Sequence, residues 1–361
     1  MKITTASHGG NYNELAKQHG LAKEMVIDFS ANINPLGVPA SLKQTIITNL
    51  DKLVEYPEPD YIALRARIAA FHQLDLANII PGNGATELIF GIAKVTKAQK
   101  VLILAPTFAE YERAFFDAEI VYAELTKETN FAAAEIVLEM LERETDIEAV
   151  CLCNPNNPTG QLITQKEMIK IAVLCEKRNI FLIIDEAFMD FLEENETISM
   201  INYLEKFPHV AIIRAFTKFF AIPGLRLGYL LTKNNTLAEA LLQIREPWSI
   251  NTFADLAGQI LLEDETYMKQ TFDWINTERD FLYQGLSKFS ELTVYKPSVN
   301  YIFFHLEKPL DLRKELLLKG IFIRSCANYR GLTENYYRVA VKSRADNSKL
   351  LTALEVIFSG N

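Results

Sequence analysis

Lys218 and Arg226 stand eight residues apart in the run Arg214-Ala215-Phe216-Thr217-Lys218-Phe219-Phe220-Ala221-Ile222-Pro223-Gly224-Leu225-Arg226-Leu227-Gly228. Their types suit the capture of an aldehyde that also carries a phosphate. A lysine forms a Schiff base only as the free amine, which needs burial or a cationic neighbour. Phe216, Phe219, Phe220 and Ile222 offer apolar walls, Thr217 adds a hydroxyl, and Arg226 brings a fixed charge whose planar fork matches a phosphate. On this stretch alone a solvated basic pair is an equal reading, because lysine is ordinarily exposed.

Two distant motifs favour the first reading. Asp185 closes the apolar run Ile180-Phe181-Leu182-Ile183-Ile184, which reads as a parallel strand buried on both faces and ending in an acid at its carboxyl edge. Open α/β sheets bind ligands at that edge. An acid there can pair with a protonated pyridine nitrogen, or serve as a helix cap. The run Cys151-Leu152-Cys153-Asn154-Pro155-Asn156-Asn157-Pro158-Thr159-Gly160 leads a strand into a turn. That turn either holds the Asn157 amide toward a ring oxygen or is a plain β-turn, since Asn, Pro and Gly each favour turns. A third, weaker sign is Gly82-Asn83-Gly84 before the helical run Glu87 to Ala93. A glycine turn opening a helix presents free amides and a positive dipole end to an anion.

Together these residues resemble the fold-type I pyridoxal-phosphate enzymes of the class I and II aminotransferase superfamily, over nearly the whole chain. Within it the likeness is to the branch holding histidinol-phosphate aminotransferases and, most closely, the L-threonine-O-3-phosphate decarboxylases of cobalamin biosynthesis. It rests further on Asp28-Phe29-Ser30-Ala31-Asn32-Ile33-Asn34-Pro35-Leu36-Gly37, Gly82-Asn83-Gly84-Ala85-Thr86-Glu87, Ile323-Arg324-Ser325-Cys326-Ala327-Asn328-Tyr329 and the leader Ser7-His8-Gly9-Gly10-Asn11. The resemblance implies that Lys218 forms the Schiff base with pyridoxal 5'-phosphate, Asp185 holds the pyridine nitrogen and Asn157 contacts the ring oxygen. It assigns the cofactor phosphate to Arg226, Thr217 and the Gly84-Ala85-Thr86 turn, and ring stacking to Phe108. It assigns the substrate carboxylate to Arg338 and the substrate phosphate to Arg324, with His8, Gly9 and Asn32 as helpers. Tyr56 matches a tyrosine that reaches the phosphate of a neighbouring subunit, implying a homodimer. One departure is Phe188, where many relatives have a tyrosine whose hydroxyl meets the ring oxygen; a single such bond contributes only about 0.5–1.5 kcal/mol.

The elements that must position these residues are legible as well. Apolar strand candidates recur near 78–81, 101–104, 119–123, 149–153, 180–184, 210–215 and 227–231, mostly separated by helical patterns such as Lys166 to Glu176. The alternation predicts an α/β fold with a large, mostly parallel sheet covered by helices on both faces. An amphipathic stretch from Glu263 to Phe289 and further strands at 292–295, 300–306, 321–324 and 336–341 predict a smaller α+β domain. The expected division is a large domain at 46–262 and a small one made of 1–45 and 263–361, the N-terminal segment helping to close the site.

The 361 residues are ample for two such cores. A net charge of −9 with no long basic stripe argues against nucleic acid as a partner, so an anionic substrate must be gathered by local arginines. Cys151, Cys153, Cys175 and Cys326 lack zinc or secreted-framework spacing and read as buried thiols, with no metal expected. No apolar stretch reaches bilayer length and no signal-peptide pattern is present, so a cytoplasmic location is expected. The resemblance stated above implies decarboxylation of L-threonine O-3-phosphate to (R)-1-aminopropan-2-yl phosphate. The alternatives are histidinol-phosphate transamination with 2-oxoglutarate and, in another class, a non-catalytic pyridoxal-phosphate-binding regulator. Such regulators usually carry a fused DNA-binding module, for which the chain ahead of the catalytic region is expected to be too short.

Overall fold

The computed structural model describes residues 26–359. Its strands, in chain order, are β1 (Ile27–Asp28), β2 (Ile79–Gly82), β3 (Lys100–Ala105), β4 (Glu119–Glu124), β5 (Ala149–Cys153), β6 (Phe181–Asp185), β7 (Val210–Ala215), β8 (Gly228–Thr232), β9 (Leu292–Val294), β10 (Tyr301–Leu306), β11 (Ile321–Phe322), β12 (Arg324–Ser325) and β13 (Tyr336–Ala340). Seven of them form one sheet in the order β2-β8-β7-β6-β5-β3-β4. From β7 to β4 every neighbouring pair is parallel, whereas β8 runs antiparallel to β7 and β2. This is the mostly parallel sheet that the alternating pattern predicts.

β3, β5, β6 and β7 are buried along almost their whole length, which is why they read as continuous apolar runs rather than alternations. Helices Ala85–Thr96 and Asn235–Ile244 cover one face through Leu88, Ile89, Ile92, Leu237 and Leu241. Helices Ala134–Arg143 and Gln165–Lys177 cover the other. The second of these starts at a capping box in which Thr164 and Glu167 each accept the other's backbone amide, satisfying donors that a helix start leaves open.

A second sheet, β12-β13-β10-β9, is antiparallel. It shares a core with helices Glu265–Leu286 and Arg344–Ser359, in which Ile275, Leu282, Ile302, Phe304, Val339 and Leu350 are fully buried. The run 321–324, expected as one strand, divides at Ile323. β11 pairs with β1, and β12 pairs with β13. The break keeps Ile323 in the small core while Arg324 enters the ladder that faces the large sheet. Phe29, fully buried in the same core, accepts from the Ala340 amide at 2.8 Å, so the segment after β1 is carried from the small sheet to the site. There Asn34 donates to the Phe219 carbonyl at 2.8 Å, and its amide to the Lys218 carbonyl at 3.2 Å.

All four cysteines are free and buried. Among the described residues no helix is long and apolar enough to cross a membrane, and no His, Cys, Asp and Glu group could hold a metal ion.

Candidate active site

A cavity of about 460 Å³ opens at the carboxyl edge of the parallel strands, where such sheets bind ligands. Asp185 is the last residue of β6, and Lys218 lies in the helical turn Phe216–Phe219 that follows β7. Asn157 follows β5, and Phe108 follows β3. All four line the cavity, together with Ala85, Thr86, Thr217 and Arg226.

The cavity's charges are tuned mainly by burial. Desolvation, then Arg338 and Arg226, pull the Lys218 amine down to about 8, against the pull of Asp185. The amine is therefore far more nucleophilic near neutrality than an exposed lysine. Desolvation pushes the Asp185 carboxyl up, while the Tyr111 hydroxyl, the Ala187 amide and Lys218 pull it back. Tyr111 donates to Oδ2 at 2.7 Å and the Ala187 amide to Oδ1 at 2.9 Å. A buried acid with these donors is suited to a cationic N–H partner. Tyr111 was not singled out by sequence reasoning. Its one visible sign is a spacing of three from Phe108, whose ring it meets edge-on at 5.6 Å.

Opposite lies an anion cradle. Gly84 caps helix Ala85–Thr96 with φ +79°, and a Cβ there would run into the Arg226 guanidinium. At Gly228 a Cβ would lie 2.7 Å from the Ala85 amide nitrogen, so only glycine lets β8 press against the helix start. Ala85 and Thr86, which open that helix, line the cavity together with Thr217, and the free amides of a helix start suit an anion. Arg226 itself has φ +60°, a left-handed backbone uncommon outside glycine and a strain of the kind held at ligand sites.

The third group comes from the small sheet. Arg324 and Arg338 are direct partners across β12 and β13, both line the cavity, and they are only 8% and 5% exposed. Like charges directly opposed in a ladder repel, so an anionic ligand between them offsets a standing cost. Arg338 donates through Nη1 to Asn157 Oδ1 and through Nη2 to the Ser30 carbonyl at 2.8 Å; its Nε has no partner among the described residues. Arg324 donates to Asn328 Oδ1 at 2.7 Å and lies over the Tyr329 ring. Asn157 Oδ1 also accepts from the Tyr329 hydroxyl at 3.4 Å, which leaves the Asn157 NH2 to donate into the cavity. Asn32 lines the same wall with a buried, unpartnered Oδ1 among the described residues.

Three expected contributors are not seen in this cavity's wall. His8 and Gly9 lie outside the described residues. Tyr56 is 79% exposed, its ring tilted against that of Trp248 with centroids 4.6 Å apart, and is not part of this cavity's wall. Phe188 lines the cavity, packed edge-on against Tyr301 at 5.0 Å, so that wall is apolar.

The sequence profile of aminotransferase class I and II matches residues 24–357. The chain belongs to this family. Among its relatives, a threonine-phosphate decarboxylase of Salmonella typhimurium is 41% identical, with 100% of this chain and 99% of that one covered. An adenosylcobalamin biosynthesis bifunctional protein of Leptospira interrogans is 33% identical over 98% of this chain and 41% of its own. The crystal structure of a histidinol-phosphate aminotransferase from Clostridium acetobutylicum superposes with a TM-score of 0.86 at 33% identity, covering 92% of this chain and 99% of that one. In this member of the aminotransferase family the donor set fits pyridoxal 5'-phosphate. It offers a buried acid for the ring nitrogen, an amide for the ring oxygen, a lowered lysine for the aldehyde and a glycine-lined cradle for the phosphate.

Proposed function

We propose that the protein decarboxylates L-threonine O-3-phosphate to (R)-1-aminopropan-2-yl phosphate in cobalamin biosynthesis, with pyridoxal 5'-phosphate bound at Lys218. The observation that carries this reading is the opposed pair Arg324 and Arg338 on the wall facing Lys218: two cations on one ladder match a substrate with an anion at each end. The full-length similarity to the Salmonella decarboxylase supports it, and the Leptospira relative supports the pathway.

When bound, the cofactor supplies a ring that draws in the electron pair of the bond broken at the substrate α-carbon. Which bond breaks depends on which one stands perpendicular to that ring, so the chain's task is orientation. Arg338, held from behind by Asn157 and the Ser30 carbonyl, grips the carboxylate and sets its angle. Arg324 holds the phosphate end, with Asn32 and the leader residues His8 and Gly9 as helpers. Asp185, held by Tyr111, keeps a negative charge beside the ring nitrogen. Carbon dioxide leaves and one proton is taken up in its place, and Lys218 Nζ is the group placed to hold that proton. Phe108 and Phe188 keep water from the reacting face.

We further propose a homodimer in which Tyr56 reaches the neighbouring site. Ile47, Leu53 and Val54, near Tyr56 in sequence, are exposed apolar side chains that a second copy would cover; sedimentation velocity tests it. The division at residues 45/46 and 262/263 and a cytoplasmic location belong to the same reading. The deciding experiment incubates the reconstituted protein with L-threonine O-3-phosphate and, separately, with histidinol phosphate plus 2-oxoglutarate. Carbon dioxide release from the first is expected. Glutamate from the second with no carbon dioxide from the first sinks the proposal in favour of transamination.

A further inference from the structure

Under the large sheet, on the side away from the cavity, lies a charged cluster that none of the steps above uses. Side chains alternate along a strand. Asp185 and Ala215 line the cavity, so their neighbours Glu186 and Arg214 emerge on the other face. There Arg214 donates through Nε to Glu186 Oε2 at 2.7 Å and through Nη1 to Asp190 Oδ1. The Ser199 hydroxyl lies 2.8 Å from Glu186 Oε2 and 3.0 Å from Oε1. The Arg214 and Glu186 side chains are each 1% exposed. The backbone is tied at the same point: the Glu186 amide donates to the Ile213 carbonyl at 2.8 Å, and a Cβ on Gly228 would come within 2.9 Å of the Arg214 carbonyl oxygen.

A buried ion pair is a poor way to gain stability, because apolar residues of the same volume often serve as well or better. What an apolar patch lacks is direction, whereas a guanidinium fork holds its acids at set angles. The location gives that direction a use. Glu186 directly follows Asp185, and Arg214 precedes Lys218 by four residues. We propose that Arg214 and Glu186 are positioning residues: their ion pair clamps the end of β6 to β7 from beneath and so fixes the separation of the Asp185 carboxylate and the Lys218 amine across the cavity. This rests on the roles proposed above for Asp185 and Lys218. A misplacement of about 1 Å between reacting groups can cost on the order of a hundredfold in rate.

The test uses protein reconstituted with pyridoxal 5'-phosphate and compares the wild type with Glu186→Gln and Arg214→Lys. Glu186→Gln keeps the Arg214–Asp190 contact, and Arg214→Lys keeps the charge but loses the fork. Three quantities are measured: the pH titration of the cofactor's near-visible absorption, kcat and KM, and the thermal unfolding temperature. The expected result is a displaced titration midpoint with kcat down about tenfold or more and KM changed by less than about twofold. Folded variants that titrate and turn over as the wild type does, with only the unfolding temperature changed, would overturn the proposal. If a single variant does not fold, the pair Glu186→Leu with Arg214→Met removes both charges together, and the same displacement is expected of it; failure of every variant to fold also overturns the positioning role. A wild type that shows no such absorption, or a Lys218→Ala protein that keeps it, sinks the cofactor reading instead, so the two failures are distinguishable.

Discussion

On the seven-stranded sheet, Asp185 and Lys218 are unlike charges at the ends of neighbouring strands, each drawing the other toward its charged form. On the four-stranded sheet, Arg324 and Arg338 are like charges directly opposed across one ladder. In the first half this pair offsets its own charge before any ligand arrives. The second holds two buried cations side by side and is relieved by an incoming anion. The contrast suggests a division of labour: the large sheet builds the machinery for bond breaking, and the small sheet selects what is broken.

Removing one member of each half sharpens that division. Lys218→Ala is expected to have the largest effect, abolishing the cofactor's absorption and lowering turnover on the order of a thousandfold or more; spectra and carbon dioxide release check both. Arg324→Ala should leave the absorption in place yet lower kcat/KM for the phosphorylated substrate by about 2–5 kcal/mol, the usual cost of truncating a buried charged contact. If Arg324→Ala instead erased the absorption, the two halves would not be separable.

The pH dependence probes the Lys218 amine, which charges of both halves tune. Capture of the aldehyde needs the neutral amine, and Lys218 is lowered to about 8 by burial, Arg338 and Arg226. Below that value the protonated fraction grows, so the rate of absorption change on mixing cofactor with cofactor-free protein should rise about tenfold per pH unit and level off above it. Arg338→Met removes one lowering charge and should move the inflection upward. Tyr111→Phe strips one donor from Asp185 and is expected to slow turnover by about tenfold, since a hydrogen bond to a charged group contributes about 1.5 kcal/mol or more. Phe188→Tyr should have the smallest effect, within about threefold on decarboxylation, because it adds a single donor at most; the absorption maximum and rate together check it.

Much of the fold was readable because β3, β5, β6 and β7 are sandwiched between helices, and burial on both faces leaves an unbroken apolar run in the chain. Asp185, Asn157 and Lys218 were readable for a related reason: each sits just past such a run, and strand ends are where a parallel sheet presents ligand-binding groups. What was hidden are contacts between side chains far apart in sequence. The Tyr111 bond to Asp185 spans 74 positions and the Arg338 bond to Asn157 spans 181, and no periodicity encodes either. The division of 321–324 was hidden too, because it depends on which partner strand each half meets, β1 or β13.

The pairing of Arg324 with Arg338 also makes a ruler. Directly opposed residues of one antiparallel ladder keep their Cα atoms about 4.5–5.5 Å apart, so the spacing of the two anchor points is built into the backbone of the small sheet. A molecule whose two negative ends are too near or too far apart cannot satisfy both at once. The protein would thus measure length with its main chain and read charge with its side chains.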